Sequence, residues 1–178
     1  MDSISPQDID KIRQNGFRPQ AVGCIISNKQ ILFVYKKKYN LWQLPQGGID
    51  NKETIEEATI REMTEELGAN FTKLFKPKKV IGEDELIFPE RNQGSRKLRT
   101  DKGRNIFMLG KKYFFVELSP LTISKSNCPN LDITQTEFND HRWLDYQEAL
   151  RLTKKIYQKG KQRTTLRALH ALHDQNIL

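Results

Sequence analysis

Apolar residues fall in short runs along this chain, and the spacing within each run predicts an element. "AVGCIIS" (21–27) and "ILFVYK" (31–36) are rich in β-branched and aromatic residues, and Asn28, Lys29 and Gln30 between them predict a hairpin. "LWQLPQGGID" (41–50) reads as a short strand running into a Pro/Gly loop. "KVIG" (79–82), "KKYFFVELS" (111–119) and "TEFNDHRWLD" (136–145) predict further strands, the last with a turn before it. "YQEALRLTKKIYQ" (146–158) and "QRTTLRALHALHDQ" (162–175) predict terminal helices. Residues 1–16 form a polar lead-in with one helical turn after Ser5-Pro6. Residues 83–105, polar, basic and broken by Pro and Gly, predict a long loop or insertion. Strands, one helix, strands and terminal helices favour an α+β or α/β/α layered domain.

The clearest helix covers 54–67. Thr54 suits an N-cap, and Glu57 three residues on completes a capping box. Ile60, Met63 and Leu67 give an apolar stripe, and Gly68 suits the C-terminal end. Helical geometry gathers Glu62, Glu65 and Glu66 on one face, expected to point outward, opposite that stripe. Like charges at i, i+4 cost only about 0.2–0.5 kcal/mol per pair, so a plain solvated face is the competing reading. The preceding loop changes the balance. Gly47 and Gly48 permit close backbone approach, and Glu53 lies just before the helix. Several carboxylates and a loop carbonyl suit a hard divalent cation. Arg61, four residues before Glu65, is placed to hold that carboxylate.

Charge adds a partner. The 178-residue chain, the size of one ordinary domain, carries a formal +8. Residues 47–68 hold seven carboxylates against Lys52 and Arg61, net −5, which leaves +13 elsewhere. An acidic island in a basic surround suits cations in the island and a polyanion around it. Cys24 and Cys128 lack CxxC or His/Cys spacing and read as free thiols of a reducing compartment. The acidic N-terminus is no signal sequence and no apolar run is long enough to span a bilayer, so a cytoplasmic protein without a membrane partner is expected.

Gly47, five residues, Glu53, seven residues, then Arg61-Glu62-Met63-Thr64-Glu65-Glu66-Leu67-Gly68 resembles the Nudix box, GX5EX7REUXEEXGU, with all seven fixed residues present. Ala69 at the second bulky position is smaller than the pattern, which bears on packing. The resemblance implies an α+β fold of Nudix type, an α/β/α sandwich around a mixed β-sheet, as a single domain over 1–178. It also implies hydrolysis of phosphoanhydride bonds with Mg2+ or Mn2+. Glu65 and Glu66 would be the chief metal ligands, with Glu62 and the carbonyl of Gly47 assisting, and Glu53 and Arg61 supporting. "GFRP" (16–19), 41–50 and 136–145 resemble the bacterial RNA pyrophosphohydrolases, which overlap with the diadenosine polyphosphate hydrolases. By that resemblance Glu137 reaches the metal site as ligand or general base, and Arg18 faces substrate phosphates or a base. Lys36 or Lys37 supplies a cation before the "WQ" segment. Gly160 stands where the branch has a stacking aromatic, while Lys161 keeps the charge and Tyr157 is the substitute.

The basic stretches 36–38, 73–79, 96–104 and 154–163 fit an RNA backbone, and Tyr35, Tyr39, Phe88 and Tyr157 are candidates to stack on bases. Trp42 and Trp143 read as packing residues, and His141, His170 and His173 as histidines without a metal role. Glu83, Asp84 and Glu85 read as a solvated patch. Three functions compete: removal of pyrophosphate from 5′-triphosphorylated RNA, asymmetric cleavage of dinucleoside polyphosphates, and a non-catalytic RNA- or nucleotide-binding module. Protein partners are not legible.

Overall fold

The computed structural model describes residues 4–122 and 128–178. Residues 1–3 of the expected lead-in lie outside them. The elements run α1 (Pro6–Gln14), β1 (Phe17–Ser27), β2 (Gln30–Lys36), β3 (Leu41–Gln43), β4 (Gln46–Gly48), α2 (Ile55–Leu67), α3 (Ala69–Thr72), β5 (Phe75–Ile87), β6 (Lys97–Arg99), β7 (Asn105–Phe107), β8 (Gly110–Pro120), β9 (Asp140–Leu144), α4 (Tyr146–Lys154) and α5 (Lys159–Asp174).

The main sheet has the order β3-β2-β1-β8-β5, with β4 on β1 and β9 on β2. β1 and β8 are parallel and the other pairs antiparallel, so the sheet is mixed. Alternation along β1 sends Ala21 and Ile25 to one face and Val22, Cys24 and Ile26 to the other. The first face packs on Ile9 of α1, Ile55, Ala58, Met63 and Leu67 of α2, and Phe71 of α3. The second packs on Ala149 of α4 and Ala168, Leu169 and Leu172 of α5. The result is the expected α+β, α/β/α sandwich. No helix among the described residues is long and apolar enough to cross a membrane.

One edge of β1 is shared: residues 20–22 pair with β4, and Ile26 and Ser27 pair with β2. Between them Gly23 meets α2, where an added Cβ would lie 2.4 Å from Met63 Sδ. Buried Met63 therefore seats the acidic helix directly on the sheet.

Several expectations need correction. Residues 6–14 form a nine-residue helix, because Ser5 caps it and Ile9 and Arg13 are buried beneath it. The Pro/Gly loop is partly strand β4, since Gly47 and Gly48 pair with Ala21 and Gln20. The strand expected at 79–82 is thirteen residues long, so 83–87 belong to β5 rather than to a loop. The rest of that insertion contains the β6–β7 hairpin. Asp84 is buried and paired with Arg163 at 2.7 Å and Arg167 at 3.2 Å, tying α5 to β5; it is not part of a solvated patch. The turn between β1 and β2 is two residues, Asn28 and Lys29, both with positive φ, and Gln30 already pairs with Ser27.

Candidate active site

The acidic helix begins as its sequence directs. Thr54 Oγ1 accepts from the Glu57 N–H at 3.2 Å, and Glu57 accepts from the Thr54 N–H at 2.9 Å. It ends at Gly68, φ +86°. Its buried arc is set by Ile55, Ala58, Thr59, Met63 and Leu67, while Ile60 is 45% exposed. The expected stripe through Ile60 is therefore displaced. Glu62 and Glu66 lie inside the buried arc at its edge, and Glu65 points to solvent. The three carboxylates do not share one outward face.

Arg61 organises this edge. Its guanidinium grips Glu53 bidentately, Nε to Oε1 at 2.8 Å and Nη2 to Oε2 at 2.7 Å. Nη1 donates to Glu62 Oε1 at 2.7 Å, and Nη2 to the Gly48 carbonyl at 2.9 Å. Glu65 is paired with Arg61 as expected, at 3.6 Å, while the hydrogen bonds of the guanidinium to carboxylates go to Glu53 and Glu62. Burial works against the Glu53 carboxylate, yet the Arg61 fork and the Asp50 N–H hold its pKa below the usual range. The Glu53 hydrogen bonds, foremost, raise the Arg61 pKa further.

Glu62 lies against Gly47 so closely that a Cβ there would sit 1.7 Å from Glu62 Oε2. Any side chain at 47 would expel that carboxylate. Glu66 Oε2 accepts from the Gln46 N–H at 2.8 Å. Burial pushes the Glu66 carboxyl up to about 7, reinforced by Glu62 and Glu137 and opposed by Gln46 and Lys36. Glu137 joins through its backbone, its N–H donating to the Glu66 carbonyl at 3.4 Å, while its carboxylate pairs with Lys36 at 2.8 Å.

Cations close the other side. Lys161 Nζ donates to Gln43 Oε1. Burial brings the Lys161 pKa down to about 8, with Lys111 and Lys36 acting the same way and Glu66 opposing. Lys111, opposite Arg18 across the β1–β8 register, is lowered first by burial and then by Arg18 and Arg96. Arg18 lies over Gly48, its Nη2 2.8 Å from where a Cβ would stand. Gly47, Glu53, Arg61, Glu62, Glu66, Glu137, Lys36, Lys161 and Arg18 thus come together. Lys37 is exposed, with its backbone N–H on Asn139. Tyr157 is 59% exposed and donates to the Tyr39 carbonyl at 2.9 Å, alongside the turn after β2. Sequence reading missed Lys111 and Gln43. Lys111 opens a strand as any solvated lysine would, and only the strand register shows its surroundings.

The family model for the NUDIX domain matches residues 17–166. The chain belongs to the Nudix family. An RNA pyrophosphohydrolase of Ruthia magnifica is 32% identical over 157 residues, spanning 83% of this chain and 80% of that protein. One of Shewanella baltica is 30% identical over 169 residues, 89% of each. A Nudix hydrolase structure from Nitrosomonas europaea superposes with a TM-score of 0.58 at 14% identity, covering 89% of this chain and 90% of that one. That last likeness concerns the fold.

Nudix hydrolases depend on divalent metal. The donors here fit one: hard carboxylate oxygens and a loop carbonyl, with Gly47 left bare so that Glu62 can approach. Among the described residues no group of three or more His, Cys, Asp or Glu is gathered closely enough to hold a metal ion by itself. The reason is visible in the contacts. Glu62 is turned onto Arg61, Glu66 onto Gln46, Glu137 onto Lys36, and Glu65 into solvent. Such an open edge suits a cation bound through a few carboxylates and completed by substrate phosphates.

Proposed function

We propose that this Nudix protein, one domain throughout, is a metal-dependent pyrophosphohydrolase of RNA 5′ ends. Water oxygen attacks phosphorus, a P–O–P bridge breaks, pyrophosphate leaves, and the RNA keeps a 5′-monophosphate. The observation that carries this reading is the Glu62–Glu66 edge facing Lys36 and Lys161 across one site. A triphosphate needs both signs of charge at once. The two RNA pyrophosphohydrolases, similar over most of both chains, support the choice of substrate.

Mg2+ is the metal proposed, with Mn2+ able to replace it. Bound there, it would offset charge on the phosphate oxygens and orient the attacking water. Glu65 and Glu66 serve as chief ligands, with Glu62 and the Gly47 carbonyl assisting. Arg61 and Glu53 fix the edge they stand on. Glu137 serves as ligand or as the base that takes the water proton. Lys36, Lys161, Arg18 and Lys111 receive the phosphates; Lys37 and Tyr157 are assigned an outer contact with the RNA chain.

Incubating 5′-triphosphorylated RNA with protein and Mg2+ tests this. Pyrophosphate and a 5′-monophosphate end are expected in equal amounts, and Glu66→Gln should yield neither. Release of single phosphates, or unchanged turnover by Glu66→Gln, would reject the assignment.

A further inference from the structure

The loop that carries Gly47 is held from two sides. Arg61 takes the Gly48 carbonyl from α2. The next two carbonyls belong to a different residue, Arg13 of α1. Its Nη2 donates to Ile49 O at 2.8 Å and to Asp50 O at 2.7 Å. Two guanidinium groups therefore fix three successive carbonyls directly after Gly47. Arg13 is 3% exposed. A buried cation directed at neutral carbonyls needs compensation nearby. Asp10 and Asp101 supply it, 3.7 Å and 3.5 Å from Nη1.

Asp101 belongs to the turn joining β6 and β7, remote in sequence from both α1 and the loop. Its N–H donates to Asp10 Oδ1 at 2.7 Å. Its Oδ1 accepts from Asn51 Nδ2 at 2.7 Å, and Asn51 also donates to the Arg99 carbonyl at 3.1 Å. Thr100 beside it is 3% exposed, although the hairpin is otherwise largely solvated. The hairpin turn is thus seated on the same loop that Arg13 grips.

We infer that Arg13, locked by Asp101, is a positioning residue for the metal site: it sets the backbone after Gly47 so that the Gly47 carbonyl and Glu62 face one point. The inference rests on the reading of the Gly47–Glu66 edge as the metal site. Outer contacts that orient ligands govern metal affinity by roughly 10- to 100-fold. Arg13 has that relation to the Gly47 loop, and the β6–β7 hairpin has it to Arg13.

The test is Mn2+ binding to the full chain without RNA, by calorimetry, beside thermal melting. Lysine at 13 keeps the charge, but its single ammonium cannot hold Ile49 O, Asp50 O and Asp101 in the same fork geometry. Arg13→Lys is expected to weaken Mn2+ binding about 10-fold. Asp101→Asn, at a partly exposed turn, keeps an acceptor for Asn51 but removes the charge facing Arg13, and is expected to weaken it by less, in the same direction. Both variants should also raise the Mg2+ concentration for half-maximal turnover while leaving KM for RNA alone. Lowered melting temperatures with unchanged Mn2+ affinity in both variants would overturn the inference, leaving Arg13 as a fastener for α1. If Arg13→Lys fails to fold, Asp101→Asn decides alone. Glu65→Gln and Glu66→Gln are the control. Were these also to leave Mn2+ binding intact, the metal-site reading itself would fall, and the inference with it.

Discussion

Glu66 and Lys161 face each other across the site with their ordinary charges made costly, and both costs come from burial. A bound phosphate would favour the ammonium of Lys161 again. With a folded pKa of about 8, below the ordinary lysine value, Lys161 loses its proton from pH 8 upward. The free protein binds fewer protons than the unfolded chain between about 8 and 10.5, so this group's contribution to stability rises with pH there. Substrate binding goes the other way. KM for RNA is expected to be flat below pH 8 and to rise above it, and Lys161→Met should raise KM at pH 7 and remove that rise. A rise that persists in Lys161→Met would assign it elsewhere. At the other end, Gly47→Ala pushes a Cβ into Glu62. A displacement of that size should cut kcat by roughly 100-fold, measured at saturating RNA and Mg2+. Unchanged kcat would mean that Glu62 is not needed where it lies. The Gly47 spacing was legible in the sequence. That Lys111 joins the cations was not, because nothing local distinguishes a lysine at a strand start.

The acidic helix was legible at both ends, since caps are local chemistry: Thr54, Glu57 and Gly68 act as their types direct. Its rotation was misread. Counting apolar positions places Ile60 inside and the glutamates outside. The helix instead rolls so that Glu62 and Glu66 enter the buried arc, leaving Ile60 exposed. The packing of Ile55, Ala58, Met63 and Leu67 sets this rotation, and on the proposed reading it withdraws two metal-site carboxylates partly from water. The helix is held by its ends and by Met63. Thr54→Ala should cost about 1 kcal/mol of stability and Met63→Ala about 2–5 kcal/mol, both read from urea unfolding. Thr54→Ala should leave kcat within twofold. A smaller loss for Met63→Ala than for Thr54→Ala would contradict the packing of α2 on β1 at Gly23. The β6–β7 hairpin was illegible for another reason. It lacks an alternating apolar face, and polar contacts from Asp10, Asn51 and Asp101 hold its turn.

Across the whole molecule the pattern of strands and terminal helices left α+β and α/β/α layers open, and the motif resemblance pointed to the sandwich. The length of β5 did not follow, because the run Glu83-Asp84-Glu85 interrupts its apolar pattern, yet 83–87 pair with β8 all the same. Asp84 shows why: two arginines of α5 neutralise it inside. Charge is divided at this scale too, −5 in the box and +13 outside. Affinity for RNA should fall with salt, with a log–log slope of about −0.7 per phosphate contact on a single strand. A flat dependence would remove the basic surface from RNA binding. The most direct test of the central claim is a comparison of kcat/KM for 5′-triphosphorylated RNA and diadenosine tetraphosphate, at equal Mg2+ and salt. RNA is expected to be favoured by at least about tenfold, a transition-state difference of roughly 1.4 kcal/mol. Preference for the dinucleotide would contradict the RNA assignment and leave the basic surface without its proposed purpose.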